Sequence, residues 1–165
     1  MLEFTLKQQG KIKRLTNKTF QLDQRYKDGF FSAAYFLKTE EIIKEYHPNN
    51  TVTIQFFQRK HSILCGIDEA IALIHTFAKN PQDLYIEALN DGDEISPLEP
   101  VLKITGRYQD FGFLEGPIDG ILARRTSVAS NCRRIIEAAN GVPVIFFGDR
   151  DDDPKNQPGD GYAAY

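Results

Sequence analysis

The sequence feature that most constrains the fold is an uninterrupted apolar run near the C-terminal end. Residues 142–147 read V-P-V-I-F-F and follow residues 110–140, which carry the apolar periodicity of a helix. A short strand that is apolar on both faces is typical of a parallel sheet or a β/α barrel, where helices cover the sheet. A parallel strand needs neighbouring strands, which are joined to it by crossover connections of a dozen or more residues. Since few residues follow this strand, the sequence predicts that the chain contains only the beginning of a barrel.

Three segments before this region favour β-strands. Residues 51–58 alternate apolar and polar side chains, which is typical of a strand with one buried face. Residues 84–89 and 101–104 are also rich in strand-forming residues, and the turn sequence N-D-G-D at residues 90–93 separates them. The first half of the chain therefore predicts a sheet as well as helices.

Helical periodicity appears in residues 30–46, 68–77 and 110–140. The last of these is interrupted near Thr126 and Ser127, two residues that favour helix ends over helix interiors. We therefore expect two helices that meet at this point.

Composition excludes several classes of function. The net charge of -3 gives no general attraction to nucleic acid or to anionic membranes, so we predict neither partner. No apolar run approaches the roughly 20 residues that span a bilayer. Cys65 and Cys132 form no CxxC pair, which predicts buried thiols in a reducing, cytoplasmic compartment. His61 and Cys65 form an incomplete zinc spacing, so no metal ligands are assigned.

Short motifs along the chain resemble those of nicotinate phosphoribosyltransferases, in the same order. They are Y-K-D at residues 26–28, F-F-S-A-A-Y-F-L-K-T at 30–39, C-G-I-D-E-A at 65–70, E-P-V-L at 99–102, G-I-L-A-R-R-T-S-V-A at 120–129, F-G-D-R at 147–150 and Q-P-G-D-G-Y-A-A at 157–164. Each motif is weak alone, but their order over nearly the whole chain makes the resemblance specific.

The resemblance implies an enzyme of NAD biosynthesis that joins nicotinate to phosphoribosyl pyrophosphate, giving nicotinate mononucleotide and pyrophosphate. It implies an α+β N-terminal sandwich domain over residues 1–110 and the beginning of an irregular β/α barrel over residues 111–165, truncated within the barrel. It also implies coupling to ATP with Mg²⁺, and a homodimer in which the N-terminal region of one subunit completes the site of the other. A non-catalytic binding or regulatory module for a separate barrel subunit, and a truncated inactive product, are the alternatives.

One departure from related enzymes bears on the substrate. Quinolinate enzymes carry an arginine near the start of the long helix, where this sequence has Gly116. The absence of that cation favours a pyridine with one carboxylate. Gly116 does not distinguish nicotinate from nicotinamide as the substrate.

The F-G-x-R motif supplies the first candidate site residues. By resemblance, Phe147 stacks on the pyridine ring, and the alternative is ordinary core packing. Arg150 is the candidate catalytic residue, since a guanidinium can bind a carboxylate or phosphate with two hydrogen bonds. Asp149, in the same motif, is a candidate substrate contact. The acidic run at residues 149–153 could hold Mg²⁺ or form a solvated turn.

Tyr26, Arg124 and Arg125 are the remaining candidates. Tyr26 matches a family tyrosine that reaches the ring bound by the neighbouring subunit, or else is an ordinary exposed tyrosine. Arg124 and Arg125 precede the predicted helix junction, where free N–H groups could bind an anion of the substrate. A solvated basic face is the alternative for this pair.

Overall fold

The computed structural model describes residues 2–5 and 13–165. The strands are β1 (Leu2–Thr5), β2 (Thr51–Phe57), β3 (Ser62–Ile63), β4 (Tyr85–Ala88), β5 (Glu94–Ile95) and β6 (Pro100–Arg107). The helices are α1 (Asn17–Phe20), α2 (Ala34–Tyr46), α3 (Ile67–Phe77), α4 (Tyr108–Phe111), α5 (Glu115–Ala139), α6 (Gly148–Asp151) and α7 (Gln157–Ala164). Single turns of 3₁₀ helix lie at Gln24–Asp28, Pro81–Asp83 and Gly112–Leu114.

Four strands form one sheet in the order β1-β4-β6-β2. β1 runs parallel to β4, and β6 pairs antiparallel with both β4 and β2. Ile104 of β6 lies opposite Ile54 on one side and Ile86 on the other, so apolar side chains meet across three strands. The predicted strand at residues 51–58 is confirmed. β3 and β5 form a separate antiparallel pair.

The core lies where α3 and α5 cover this sheet. α3 is buried along most of its length, with Ile67, Leu73 and Ile74 fully enclosed. α3 begins after Gly66, whose φ of +101° favours glycine, and an added Cβ would lie 3.1 Å from the Arg125 side chain. Gly66 therefore allows α3 and α5 to approach closely. The predicted α+β arrangement of this region is confirmed.

The predicted break near Thr126 and Ser127 is wrong, because α5 runs unbroken from Glu115 to Ala139. The buried Thr126 hydroxyl accepts from the Cys65 N–H at 3.2 Å and donates to the Cys65 carbonyl at 3.1 Å. Tertiary packing thus outweighs the weak local preference of Thr and Ser against helix interiors. The same contacts fix the segment that follows β3 against α5.

The predicted strand at residues 142–147 is also wrong in this structure. These residues have no regular secondary structure, and their side chains are exposed, with Val142 and Ile145 at 68% and 78% of full exposure. No other described strand lies beside them, and an unpaired parallel strand has no hydrogen-bond partners. The barrel itself is therefore not observed in the described part of the chain.

The described residues also bear on membrane spanning and on the state of the two cysteines. Among the described residues, no helix combines the length and apolarity needed to cross a bilayer. Both cysteines are free thiols, with Cys65 buried and Cys132 partly exposed. Burial raises the pKa of Cys65 to about 12, so this thiol stays protonated near neutral pH.

Candidate functional site

A cavity of about 810 Å³ lies between the segment before α2, the first half of α5 and the segment before α7. Its walls come from residues 19–26, Phe31, Glu69, several residues of α5 between Gly116 and Arg125, and residues 153–158. We call it the Tyr26 pocket. Its volume falls in the range of small-molecule sites, which is roughly 300–1,000 Å³.

The structure brings three of the predicted site residues together in this pocket, namely Tyr26, Arg124 and Arg125. Phe147 and Arg150 do not line it. They form a local pair on the surface, with the Arg150 guanidinium carbon 5.1 Å from the centre of the Phe147 ring. The side chain of Asp149 lies outside the described part of the structure, and the roles of these three residues stay predictions.

Tyr26 is held by a short, well-defined turn. The Asp23 side chain accepts a hydrogen bond from the Arg25 N–H and caps the 3₁₀ helix Gln24–Asp28, which Gly29 ends with a φ of +70°. The Tyr26 ring packs on Phe31 and Phe77, with centroids 4.6 and 5.7 Å away. Burial, with the nearby Glu69 charge, raises the pKa of Tyr26, so its hydroxyl is neutral and can donate a hydrogen bond.

Arg25 extends this aromatic wall. Its guanidinium carbon lies 4.6 Å from the Phe30 ring centre and 5.1 Å from that of Phe31. The Asp23 carboxylate accepts hydrogen bonds of 2.6 to 3.1 Å from the same guanidinium, and this pairing lowers the pKa of Asp23 to about 2. The pocket therefore has an aromatic side, formed by Tyr26 and Phe31, with a fixed cation beside it.

Arg125 has a different environment from the one predicted. Its Nε and Nη2 atoms donate to the two Glu69 carboxylate oxygens at 2.7 and 3.0 Å, and its Nη1 donates to Asp160. All three side chains are buried. The predicted anion site at a helix start is therefore wrong, because α5 has no end here and the Arg125 donors are occupied. Arg125 joins α3, α5 and α7.

Arg124 lies at the rim of the pocket. Its Nε is 3.1 Å from both Asp160 carboxylate oxygens, and its Nη2 also pairs with Asp152. Lys155 lines the same rim, and within the described residues it has no ion-pair partner. These two side chains are the cations best placed to meet a carboxylate that enters the pocket.

Two glycines in the first two turns of α5, Gly116 and Gly120, line the pocket and leave this part of its wall without side chains. A Cβ added at Gly120 would have no atom within 4 Å, and one added at Gly116 would meet only the Phe36 ring, at 3.6 Å. The position predicted to separate quinolinate from nicotinate enzymes thus lies in the pocket wall, with room for a larger side chain.

Sequence reasoning missed Glu69, Asp160 and Lys155. A signal existed for Glu69, since a carboxylate that is buried in the largely apolar helix of residues 67–77 needs a partner. Asp160 and Lys155 carry no such local signal.

Metal binding has little support in the described residues. No group of three or more His, Cys, Asp or Glu side chains there is placed to hold an ion. The expectation of Mg²⁺ and ATP stays a prediction.

Comparison with known proteins settles the family. Residues 33–126, more than half of the chain, match the family model described as quinolinate phosphoribosyl transferase, N-terminal domain. The chain belongs to this family. The sequence motifs predicted a nicotinate phosphoribosyltransferase in particular. The family match does not show that narrower assignment, because it does not distinguish nicotinate enzymes from quinolinate enzymes.

Solved structures agree with the family assignment. Nicotinate-nucleotide pyrophosphorylase from Pyrococcus furiosus has 28% sequence identity and a TM-score of 0.78, over 87% of this chain and 37% of that one. NadC from Streptococcus pyogenes has 20% identity and a TM-score of 0.70, over 91% of this chain and 52% of that one. Human nicotinic acid phosphoribosyltransferase shares the fold, at 14% identity and a TM-score of 0.69, over 82% of this chain and 34% of that one. The chain thus spans about a third to a half of the length of these proteins.

Proposed function

We propose that this chain is part of a phosphoribosyltransferase of NAD biosynthesis that joins nicotinate to phosphoribosyl pyrophosphate. In this reaction the pyridine nitrogen forms a bond to the anomeric carbon of the ribose while the bond to pyrophosphate breaks. The observation that carries the proposal is the Tyr26 pocket in a chain of this family. It places an aromatic wall beside cations at the rim.

The pocket suits a flat ring with a single negative group. The ring can pack between Tyr26 and Phe31, whose planes are tilted by 42°, so that it stacks on one and meets the other edge-on. Its carboxylate can then reach the rim, where Lys155 has no ion-pair partner among the described residues. Arg124 also lies there, and its Nη1 atom is the one not engaged with Asp160 or Asp152. Arg125 serves as a positioning residue, since its clamp holds α5 and α7 in place around Arg124.

Specificity for nicotinate follows from charge. Quinolinate has a second carboxylate, and the bare wall at Gly116 and Gly120 offers it no cation. Nicotinamide lacks a negative group and gains nothing from Lys155. We therefore place nicotinate ahead of both.

Phe147 and Arg150 do not line the Tyr26 pocket, so in the proposed dimer they meet the substrates from the second subunit. Arg150 is proposed to bind a carboxylate or phosphate of the substrates through its planar fork, and Phe147 to stack on the pyridine. ATP coupling with Mg²⁺, and a homodimer in which the Tyr26 pocket closes over the ring bound by the second subunit, are part of the same proposal.

A second candidate function is a binding module for a separate barrel subunit. The exposed apolar side chains near the end of α5 and after it favour it, namely Ile135, Ile136, Val142, Val144, Ile145 and Phe146. A surface of this kind is typical of a protein interface.

The Gly116→Arg variant tests the proposed specificity. An arginine here restores a cation in the pocket wall, so we expect quinolinate to bind about tenfold more tightly, while nicotinate affinity changes less than about threefold. Isothermal titration of the 165-residue chain with nicotinate, nicotinamide and quinolinate measures this. A wild-type chain that prefers quinolinate, or a variant with equal gains for all three ligands, would contradict the proposal.

A further inference from the structure

A second cavity lies on the other half of α5, between that helix and the β3–β5 strand pair. Its volume is about 510 Å³, and it shares no lining residue with the Tyr26 pocket. The four basic side chains in its lining are Lys60, His61, Arg133 and Arg134, against a single carboxylate, that of Glu94. We call it the basic cavity. In a chain with a net charge of -3, this is a local reversal of charge.

The cations of the basic cavity are largely uncommitted. The Arg133 Nη1 atom lies 3.8 Å from the Glu94 carboxylate, which is too long for a hydrogen bond. Arg134 donates from one Nη atom to Asn131, one turn earlier on α5, which orients the guanidinium and leaves most of its N–H groups open. Lys60 has no ion-pair partner among the described residues.

The walls of the basic cavity are fixed by hydroxyl groups. Ser130 Oγ accepts from the Ile63 N–H at 2.9 Å and donates to the Ile63 carbonyl at 3.4 Å. Thr126 makes the corresponding pair of bonds to Cys65, as described above. Two side chains of α5 thus hold the adjoining segment, so the backbone that carries the basic groups on both sides is held in place without a ligand.

The dimensions and chemistry of the cavity select its ligand. Two guanidinium groups and an ammonium around one half-open cavity match a compact anion with several oxygens. A nucleic acid requires an extended basic surface, whereas these cations line a single cavity of about 510 Å³. We propose that the basic cavity binds the oligophosphate group of a small molecule, at a site separate from the Tyr26 pocket.

The test is a titration of the 165-residue chain with inorganic triphosphate, followed by ¹H–¹⁵N NMR at low ionic strength. We expect saturable shifts at Lys60, Ser127 and Arg134, with a dissociation constant below about 1 mM. Lys60→Gln and Arg134→Gln should each weaken binding by about tenfold. Lys38→Gln is the matched control, since exposed Lys38 lies on α2 and lines neither cavity, and it should change affinity less than about twofold.

Further ligands separate the sources of the oligophosphate. If ATP binds no tighter than triphosphate, the cavity recognises phosphate alone. If ATP binds much tighter, the ligand is a nucleotide. Either result supports the site. Shifts that map to the Tyr26 pocket, equal losses in Lys38→Gln and Lys60→Gln, or equal binding of an oligoglutamate peptide would overturn the proposal. Because the substituted side chains are exposed, the variants should keep the dispersed spectrum of a folded chain.

Discussion

Replacing Arg125 with methionine is expected to lower the free energy of unfolding by about 3–5 kcal/mol. Methionine keeps much of the side-chain volume but removes the guanidinium that pairs with Glu69 and Asp160. Both carboxylates would then lie buried, Glu69 without its cation and Asp160 with only Arg124. An uncompensated buried charge costs more than the pair itself contributes, so the loss should be large.

Urea unfolding followed by circular dichroism measures this loss. The matched control is Arg124→Met, whose side chain is 41% exposed and whose partner Asp160 keeps Arg125, so its cost should stay below about 1 kcal/mol. Adding Glu69→Gln to Arg125→Met should recover part of the stability, because it neutralises one of the stranded carboxylates. Equal costs for the two arginine variants would contradict the role of Arg125 as a clamp.

Replacing Phe111 with alanine is expected to cost about 3–5 kcal/mol. The side chain is 1% exposed and lies at the end of α4, where the chain passes from β6 of the sheet to α5. Its ring comes within 3.7 Å of the position a Cβ would take on Gly106 of β6, and its centroid is 6.4 Å from that of Tyr108. Deleting it leaves a cavity between the sheet and the start of α5.

Thermal and urea unfolding of Phe111→Ala should show this cost as a lower midpoint with an unchanged denaturant dependence. Phe57→Ala is a control of the same residue type, since Phe57 is 46% exposed at the end of β2 and should cost less than about 1 kcal/mol. If both variants lost the same stability, the core would not lie where the structure places it.

The parts of the fold that the sequence predicted well are those with dense local patterns. The strand at residues 51–58 and the helix at 68–77 match β2 and α3 because their apolar positions repeat with the period of each element. Three predicted site residues, Tyr26, Arg124 and Arg125, also meet in one pocket, although nothing local in the sequence shows that Tyr26 is a neighbour of the two arginines.

The parts that failed depend on contacts distant in sequence. Residues 142–147 have the composition of a buried strand, but strand formation requires partners that no described segment supplies. The continuity of α5 depends on hydrogen bonds between Thr126 and Cys65, 61 residues apart. Arg125 binds Glu69 and Asp160, which lie 56 and 35 positions away along the chain. Its role could therefore not be predicted from neighbouring residues.

The most direct test of the Tyr26 pocket is a nicotinate titration of the ¹⁵N-labelled 165-residue chain. The account predicts saturable shifts concentrated at Tyr26, Gly116, Arg124 and Lys155, with affinity reduced about tenfold in Lys155→Gln and unchanged in Lys38→Gln. Shifts confined to other surfaces, or equal affinity in wild type and Lys155→Gln, would contradict the assignment of this pocket to the pyridine carboxylate.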